Sequence, residues 1–130
     1  MIYQEISGDL NKLSNEVIGL AIKVHKALGP GLLESSYKEC LFYEIAKAEY
    51  KVEKEKPLPL IYETVKLDIG YRIDLLVETK LVVEIKSVDA LTDIHTAQVL
   101  TYLKLSGNRL GLLINFNVTL LKNGIKRLVL

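Results

Sequence analysis

The sequence predicts a mixed α/β (α+β) fold in which helices flank a central mixed β-sheet. Two observations predict it. Apolar residues recur at steps of three and four near the start of the chain and again in residues 92–105, as in amphipathic helices. Elsewhere, alternating or short continuous apolar runs are typical of strands. A chain of 130 residues has the length of one domain, so we expect a single domain over residues 1–130.

The first two predicted elements are helices separated by a clear stop. One apolar stripe over residues 10–28 indicates the first helix, with Ser14 as a capping candidate. Gly29-Pro30 ends this helix, because glycine takes the left-handed conformation past a helix end and proline cannot continue the turn. A second apolar stripe predicts a helix over about residues 33–50.

The middle of the chain is predicted to form three strands. Residues 52–67 indicate one long or broken edge strand, because their two prolines donate no ladder hydrogen bond. Residues 71–77 and 81–86 indicate two further strands, joined by a loop at residues 78–80.

The last part of the chain adds one helix and more strands. Thr92 is the expected cap of a helix that ends near residue 105. The nearly continuous apolar run 109–115 is typical of a strand buried on both faces. Segments 118–121 and 125–130 flank Asn123-Gly124, a strong hairpin signal. The predicted order is therefore α-α-β-β-β-α-β-β.

Composition narrows the functional class. The longest apolar runs stop at about six residues, whereas a membrane span needs roughly twenty, so we expect no membrane segment. Residues 1–5 lack a signal-peptide pattern and the lone Cys40 cannot form an internal disulfide, which predicts a cytoplasmic location. The net charge of +1 argues against nucleic-acid binding by bulk positive potential but leaves a local phosphate site open.

The predicted hairpin of residues 71–86 carries the most informative side chains. With a three-residue loop, Asp74 falls opposite Glu84, and Arg72 falls opposite Lys86. Two facing carboxylates repel, which a fold resolves by sharing a proton, by pairing with the neighbouring cations, or by binding a divalent cation. Carboxylate oxygens suit Mg²⁺ or Mn²⁺. A solvated, ion-paired strand face accounts for the same pattern, so both interpretations stay open.

A metal at this place would polarise a phosphoryl oxygen and lower the pKa of a bound water. Lys86 lies about one strand repeat from Glu84, where it would orient that water or neutralise charge on the phosphate. The backbone carbonyl of Ile85, between these two side chains, is a further candidate metal ligand.

The predicted third helix contributes a polar stripe. His95, Gln98 and Tyr102 are spaced three and four apart and therefore share one face. The helix follows the strand of Glu84, so we expect the stripe to approach the carboxylates, with Gln98 as a helper that contacts phosphate or water. A solvent-facing helix side, with Tyr102 as a core residue, is the alternative.

Several short motifs follow one another in a specific order. They are Gly31-Leu32-Leu33-Glu34-Ser35-Ser36-Tyr37, Tyr71-Arg72-Ile73-Asp74, Glu84-Ile85-Lys86, His95-Thr96-Ala97-Gln98 with Tyr102, and Gly111-Leu112-Leu113-Ile114-Asn115-Phe116. Together they resemble the GxxExxY family of small bacterial and archaeal proteins, which is placed in the PD-(D/E)XK nuclease-like superfamily. The resemblance covers about residues 13–129.

The resemblance implies a restriction-endonuclease-like α-β-β-β-α-β core with a metal site on its second and third strands. It makes Asp74 the motif aspartate, with Glu84 and Lys86 as the E-x-K. Glu34 becomes the acidic residue of the core helix, binding the metal directly or through water, and Gln98 the polar residue of the later helix. The candidate substrate-binding residues are Tyr37, Arg72, His95 and Tyr102. Ile73 stands where the motif has proline.

We therefore expect a Mg²⁺- or Mn²⁺-dependent hydrolase of DNA or RNA phosphodiester bonds. The alternative is a non-catalytic module of the same fold that binds nucleic acid or a protein. This module would form a homodimer if residues 125–130 pair with a second copy at an exposed sheet edge. A third interpretation keeps the site only as ion pairs.

Overall fold

A computed structural model describes residues 6–130, so the expectation for residues 1–5 lies outside the described part. Three α-helices are present: α1 (Gly8–Leu28), α2 (Glu34–Lys47) and α3 (Asp93–Ser106). The strands are β1 (Val52–Pro57), β2 (Leu60–Tyr62), β3 (Val65–Leu67), β4 (Arg72–Val77), β5 (Leu81–Lys86), β6 (Leu110–Asn115) and β7 (Ile125–Val129), with a 3-10 helix over Leu121–Gly124.

Five strands form a central sheet in the order β1-β4-β5-β6-β7. β5 and β6 are parallel and α3 lies between them in the chain, whereas the other neighbouring strands are antiparallel. The predicted mixed sheet flanked by helices is therefore confirmed.

The two faces of the sheet carry separate apolar cores. On one face, buried residues of α1 and α2 pack with Leu75, Val83 and Leu112. On the other, Val99 and Leu103 of α3 pack with sheet residues that include Val82 and Leu113. Since β5 and β6 are buried along almost their whole length, a charged residue in either strand must find a partner within the protein.

Three local predictions were wrong. The cap of α1 is Ser7, whose hydroxyl accepts from the Leu10 amide at 3.2 Å, while Ser14 lies buried inside the helix. Residues 60–67 form a separate two-stranded hairpin of β2 and β3 rather than an extension of β1. Residues 118–121 form no strand, and β7 pairs with β6 instead.

Asn123-Gly124 does not form the predicted two-residue hairpin turn but lies in the 3-10 helix. Gly124 ends the 3-10 helix, where a Cβ would lie 2.2 Å from the carbonyl oxygen of Asn115. This close backbone approach excludes every side chain, so glycine is required by packing and not by a two-residue turn.

The pairing of β1 with β4 is interrupted at the position of Asp74. The strands pair at Lys54–Leu75 and at Lys56–Ile73 but skip the position between these pairs, where Glu55 has a φ of 56°. The interruption changes the alternation of β4, so Ile73 packs on the α3 side while Leu75 faces α1 and α2. Regular alternation along a strand would place these two residues on one face. Asp74 lies between them, at the point of the change.

No helix within residues 6–130 has the length and apolar character required to cross a bilayer.

Candidate metal and phosphate site

Asp74 and Glu84 meet where the β4–β5 ladder ends. Strand pairs run from Val77–Leu81 to Leu75–Val83, the register predicted from the three-residue loop. At the next position each carboxylate bonds to the opposite backbone. Glu84 Oε1 accepts from the Asp74 amide at 3.0 Å, and Asp74 Oδ2 accepts from the Ile85 amide at 2.8 Å. The two acids are thus fixed between adjacent strands by backbone donors.

Glu84 is held in an environment that disfavours its charged form. Its side chain lies within the sheet, and the residue is only 3% exposed. Burial, followed by the charge of Asp74, raises the pKa of the Glu84 carboxyl to about 9, and a hydrogen bond between the two carboxyls acts in the same direction. The amide of Asp74 and the charge of Lys86 oppose this rise. The pair therefore holds a proton at neutral pH unless another cation replaces it.

Glu34 and Lys86 complete the charged cluster. Glu34 is the first residue of α2, where the helix dipole favours a carboxylate. Burial raises the pKa of Glu34 above its ordinary value; the charge of Lys86 lowers it and that of Asp74 raises it. The charges of Lys86 and Asp74 thus act on Glu34, just as they act on Glu84.

Tyr37 has a structural position, which corrects the expected substrate contact. The residue is fully buried, and its ring stacks on Phe116 with centroids 4.5 Å apart. Its hydroxyl donates to the Gly29 carbonyl at 2.6 Å and accepts from the Leu32 amide at 3.1 Å. No ring face or hydroxyl remains for a substrate. Tyr37 instead fixes the corner between α1 and α2, and so places Glu34.

Helix α3 brings its polar stripe to the carboxylates. Gln98 Nε2 donates to the Tyr102 hydroxyl at 3.2 Å. Burial raises the pKa of Tyr102, and the charges of Glu84 and Asp74 add to this rise. His95 lies in the first turn of α3, where its Nδ1 accepts from the Thr92 amide at 3.0 Å. A positive charge on its ring would lower the pKa of Glu34.

Arg72 does not lie opposite Lys86 as the sequence predicted. On the β5 side of β4, the strand pairing ends at Leu75–Val83, so Arg72 has no partner in β5. On the other side it pairs with Pro57 of β1. The guanidinium donates to the Tyr71 carbonyl at 2.8 Å and lies 3.7 Å from the carboxylate of Asp68. Arg72 is therefore held by its neighbours in the chain, Tyr71 and Asp68.

Lys38 is a site neighbour that the sequence analysis missed. It lies one helical turn after Glu34 and forms an ion pair with Glu55. Burial alone would lower the pKa of Lys38, but the hydrogen bond to Glu55 and the charges of Glu55 and Asp74 raise it. The i, i+4 spacing from Glu34 was the available signal, because such residues share a helix face.

The donor set fits a hard divalent cation in part. Asp74 and Glu84 provide two carboxylates whose repulsion and burial a cation would relieve. Within residues 6–130, no three histidine, cysteine or acidic side chains converge closely enough to form a complete cluster. Two side chains would thus be supplemented by oxygen donors of the backbone or of water, an arrangement that Mg²⁺ commonly accepts.

Comparisons with known proteins give one family. A family model of the PD-(D/E)XK nuclease superfamily matches residues 11–128, which is most of the chain. No match was found among the curated proteins or among the solved structures. The matched segment contains β4, β5 and both helices that approach the carboxylates. The chain therefore belongs to the PD-(D/E)XK nuclease superfamily.

Proposed function

We propose that this protein is a Mg²⁺- or Mn²⁺-dependent nuclease of the GxxExxY kind that hydrolyses phosphodiester bonds in DNA or RNA. Superfamily membership supports a nuclease-like function, and members generally use divalent metals. The observation that carries the proposal is the pair of Asp74 with the buried Glu84, both held by backbone amides, with the charge of Lys86 acting on Glu84.

Asp74, Glu84 and the carbonyl of Ile85 would hold the metal, with Glu34 joining through a bound water. A bound divalent cation would supply Lewis acidity toward a phosphoryl oxygen and a more acidic water. The protein fixes the two carboxylates before the substrate arrives, so little reorganisation is needed during the reaction.

The remaining residues act on the substrate and the nucleophile. Lys86 provides a positive charge beside Glu84, where it positions the attacking water or stabilises charge on the phosphate. Tyr102 and Gln98 form a hydrogen-bonded pair next to the acids and would orient water or a phosphate oxygen. His95 would donate to the phosphate from the Glu34 side.

Metal binding and hydrolysis are tested separately. Isothermal titration with Mn²⁺ should give heat with the wild-type protein and none with Asp74→Asn. Asp9→Asn is a matched control, because Asp9 lines a cavity with Glu78 and Lys80 at the opposite end of the β4–β5 hairpin. Equal, negligible heats for wild type and Asp74→Asn would contradict a metal site.

Hydrolysis is measured by incubating mixed DNA and RNA substrates with Mg²⁺ or Mn²⁺. We expect Lys86→Ala to lower the rate by about 10²–10³-fold, the usual effect of removing one preorganised electrostatic contact. Wild-type protein that binds metal and nucleic acid but cleaves neither substrate would support the non-catalytic module instead.

A homodimer is a further part of the proposal. β7 is the last strand of the sheet, with only β6 beside it among the described strands, and its residue Val129 is well exposed. Antiparallel pairing with β7 of a second copy would continue the sheet. Sedimentation at micromolar concentration tests this, and a strict monomer would exclude the dimer.

A further inference from the structure

Lys38 approaches the carboxylate site from helix α2. It lies one turn after Glu34, and its side chain is only 17% exposed. Its ammonium pairs with the carboxylate of Glu55, and its charge also acts on that of Asp74. The pair with Glu55 therefore holds a mostly buried lysine on the same helix face as Glu34.

Glu55 is presented to Lys38 by an unusual backbone. Its φ of 56° is rare for a residue with a side chain, and it occurs at the position that the β1–β4 pairing skips, opposite Asp74. Such strain persists where the surrounding structure imposes it. The same interruption that places Asp74 at the site therefore also places the partner of Lys38.

With the proposed divalent cation bound, the charges at the site balance. The three acids Asp74, Glu84 and Glu34 are offset by that ion and by Lys86. A phosphodiester entering beside these acids adds a further negative charge. Lys38 can meet that charge by a small movement, since its present partner is a half-exposed surface carboxylate.

We propose that Lys38 is a phosphate-binding residue, which exchanges its ion pair with Glu55 for a backbone phosphate of the nucleic-acid substrate. The inference rests on the proposed nuclease function, because it names the contact of that same site with the substrate. It assigns Glu55 as the counter-ion that keeps the ammonium at the site when no substrate is bound.

The test compares variants in binding of fluorescein-labelled single- and double-stranded oligodeoxynucleotides with Ca²⁺ at several KCl concentrations. Lys38→Gln should weaken binding by about tenfold, the effect of one charge-assisted hydrogen bond. It should also reduce the slope of log affinity against log salt by about 0.7–0.9, because one fewer phosphate is neutralised. Lys38→Arg should restore most of the affinity.

Lys54→Gln is the matched control. Lys54 also joins β1 to α2, through an ion pair with Glu39 at 2.7 Å, but its charge is not among those that shift the pKa of Glu34, whereas that of Lys38 is. Lys54→Gln should leave the oligonucleotide affinity and its salt dependence unchanged. Glu55→Gln should tighten binding by about twofold to fivefold, since the ammonium is no longer neutralised. Melting temperatures verify that each variant is folded.

The outcomes separate this inference from the proposed function. Normal metal-dependent hydrolysis in wild type, with unchanged affinity and salt slope in folded Lys38→Gln, overturns the assignment of Lys38 alone. Weaker or unchanged binding in Glu55→Gln overturns the exchange. Absence of both oligonucleotide binding and hydrolysis in wild type overturns the proposed function and this inference together.

Discussion

The two ends of the β4–β5 hairpin use the same backbone in opposite ways. Near the turn, Leu75–Val77 and Leu81–Val83 form a regular ladder with buried apolar side chains. At the open end, the acids Asp74 and Glu84 accept hydrogen bonds from amides of the opposite strand. The comparison shows that this hairpin accommodates carboxylates where its ladder ends, because backbone amides there are free to donate to them.

The largest effect on stability is expected when a charge is placed near the turn of the hairpin, where the ladder is regular. Val83→Asp puts a carboxylate into the fully buried α1/α2 face, where the ladder provides no free amide. We expect the free energy of unfolding to fall by about 3–5 kcal/mol, as for other uncompensated buried charges. Urea denaturation measures it.

Val83→Asn separates charge from shape, because asparagine has nearly the same size as aspartate and no charge. It should cost less than Val83→Asp at neutral pH. A loss of less than about 1 kcal/mol in Val83→Asp would contradict the claimed difference between the two ends.

The second-largest effect on stability is expected when the proton-binding carboxyl of Glu84 is removed from the open end of the hairpin. In the folded protein the pKa of Glu84 is raised to about 9 from an ordinary 4.5, first by burial and then by Asp74. Between these values the unfolded chain has lost a proton that the folded chain keeps. Without divalent metal, the stability that depends on Glu84 is therefore complete below about pH 4.5 and decreases as the pH rises toward about 9.

Glu84→Gln should abolish this decrease and stabilise the metal-free protein at neutral pH by about 1–3 kcal/mol. The amide oxygen can still accept from the Asp74 backbone, and the amide nitrogen can donate to the Asp74 carboxylate. Thermal denaturation in a chelator across this pH range measures the difference. A wild-type stability that increases from pH 5 to pH 8 relative to Glu84→Gln would have the wrong sign.

A smaller effect is expected at the corner that supports the open end. Tyr37→Phe removes a hydroxyl bonded to Gly29 and Leu32, so unfolding should become easier by about 1–2 kcal/mol. Oligonucleotide affinity measured well below the melting temperature should stay within about twofold of the wild-type value. Loss of a hydrogen bond to the charged substrate would weaken it more. A large loss of affinity in a stable variant would restore Tyr37 as a substrate contact.

The smallest effect concerns the α3 side of the open end. Gln98→Ala removes the donor to the Tyr102 hydroxyl, which is half-buried, so we expect a loss of about 0.5–1.5 kcal/mol. Leu105 lies two turns further along the same helix and packs against its apolar core, so Leu105→Ala controls for general damage to α3. If Gln98 serves the reaction, Gln98→Ala lowers kcat while Leu105→Ala leaves it unchanged.

Much of the site was predictable because it depends on short-range geometry. Loop length fixes the register of a hairpin, and so Asp74 and Glu84 were correctly placed opposite each other. Helical spacing likewise placed Gln98 and Tyr102 on one face. These inferences need only the chain between the residues concerned.

The errors came from contacts between distant parts of the chain. The alternation rule put Ile73 beside Leu75, but pairing with β1 interrupts β4 between them. Gly124 looked like a hairpin residue because its close approach to Asn115 depends on tertiary packing. The β2–β3 hairpin has no glycine at its turn, where Glu63 adopts a φ of 55°, so no local signal marked it.

The bond between the Thr92 amide and His95 Nδ1 limits the chemistry of that imidazole. A nitrogen that accepts an amide proton carries none itself, so the neutral ring must bear its proton on Nε2. In this tautomer neither nitrogen offers a lone pair for coordination, and protonation would sacrifice the bond at the beginning of α3. His95 can therefore act toward an anion only as an N–H donor.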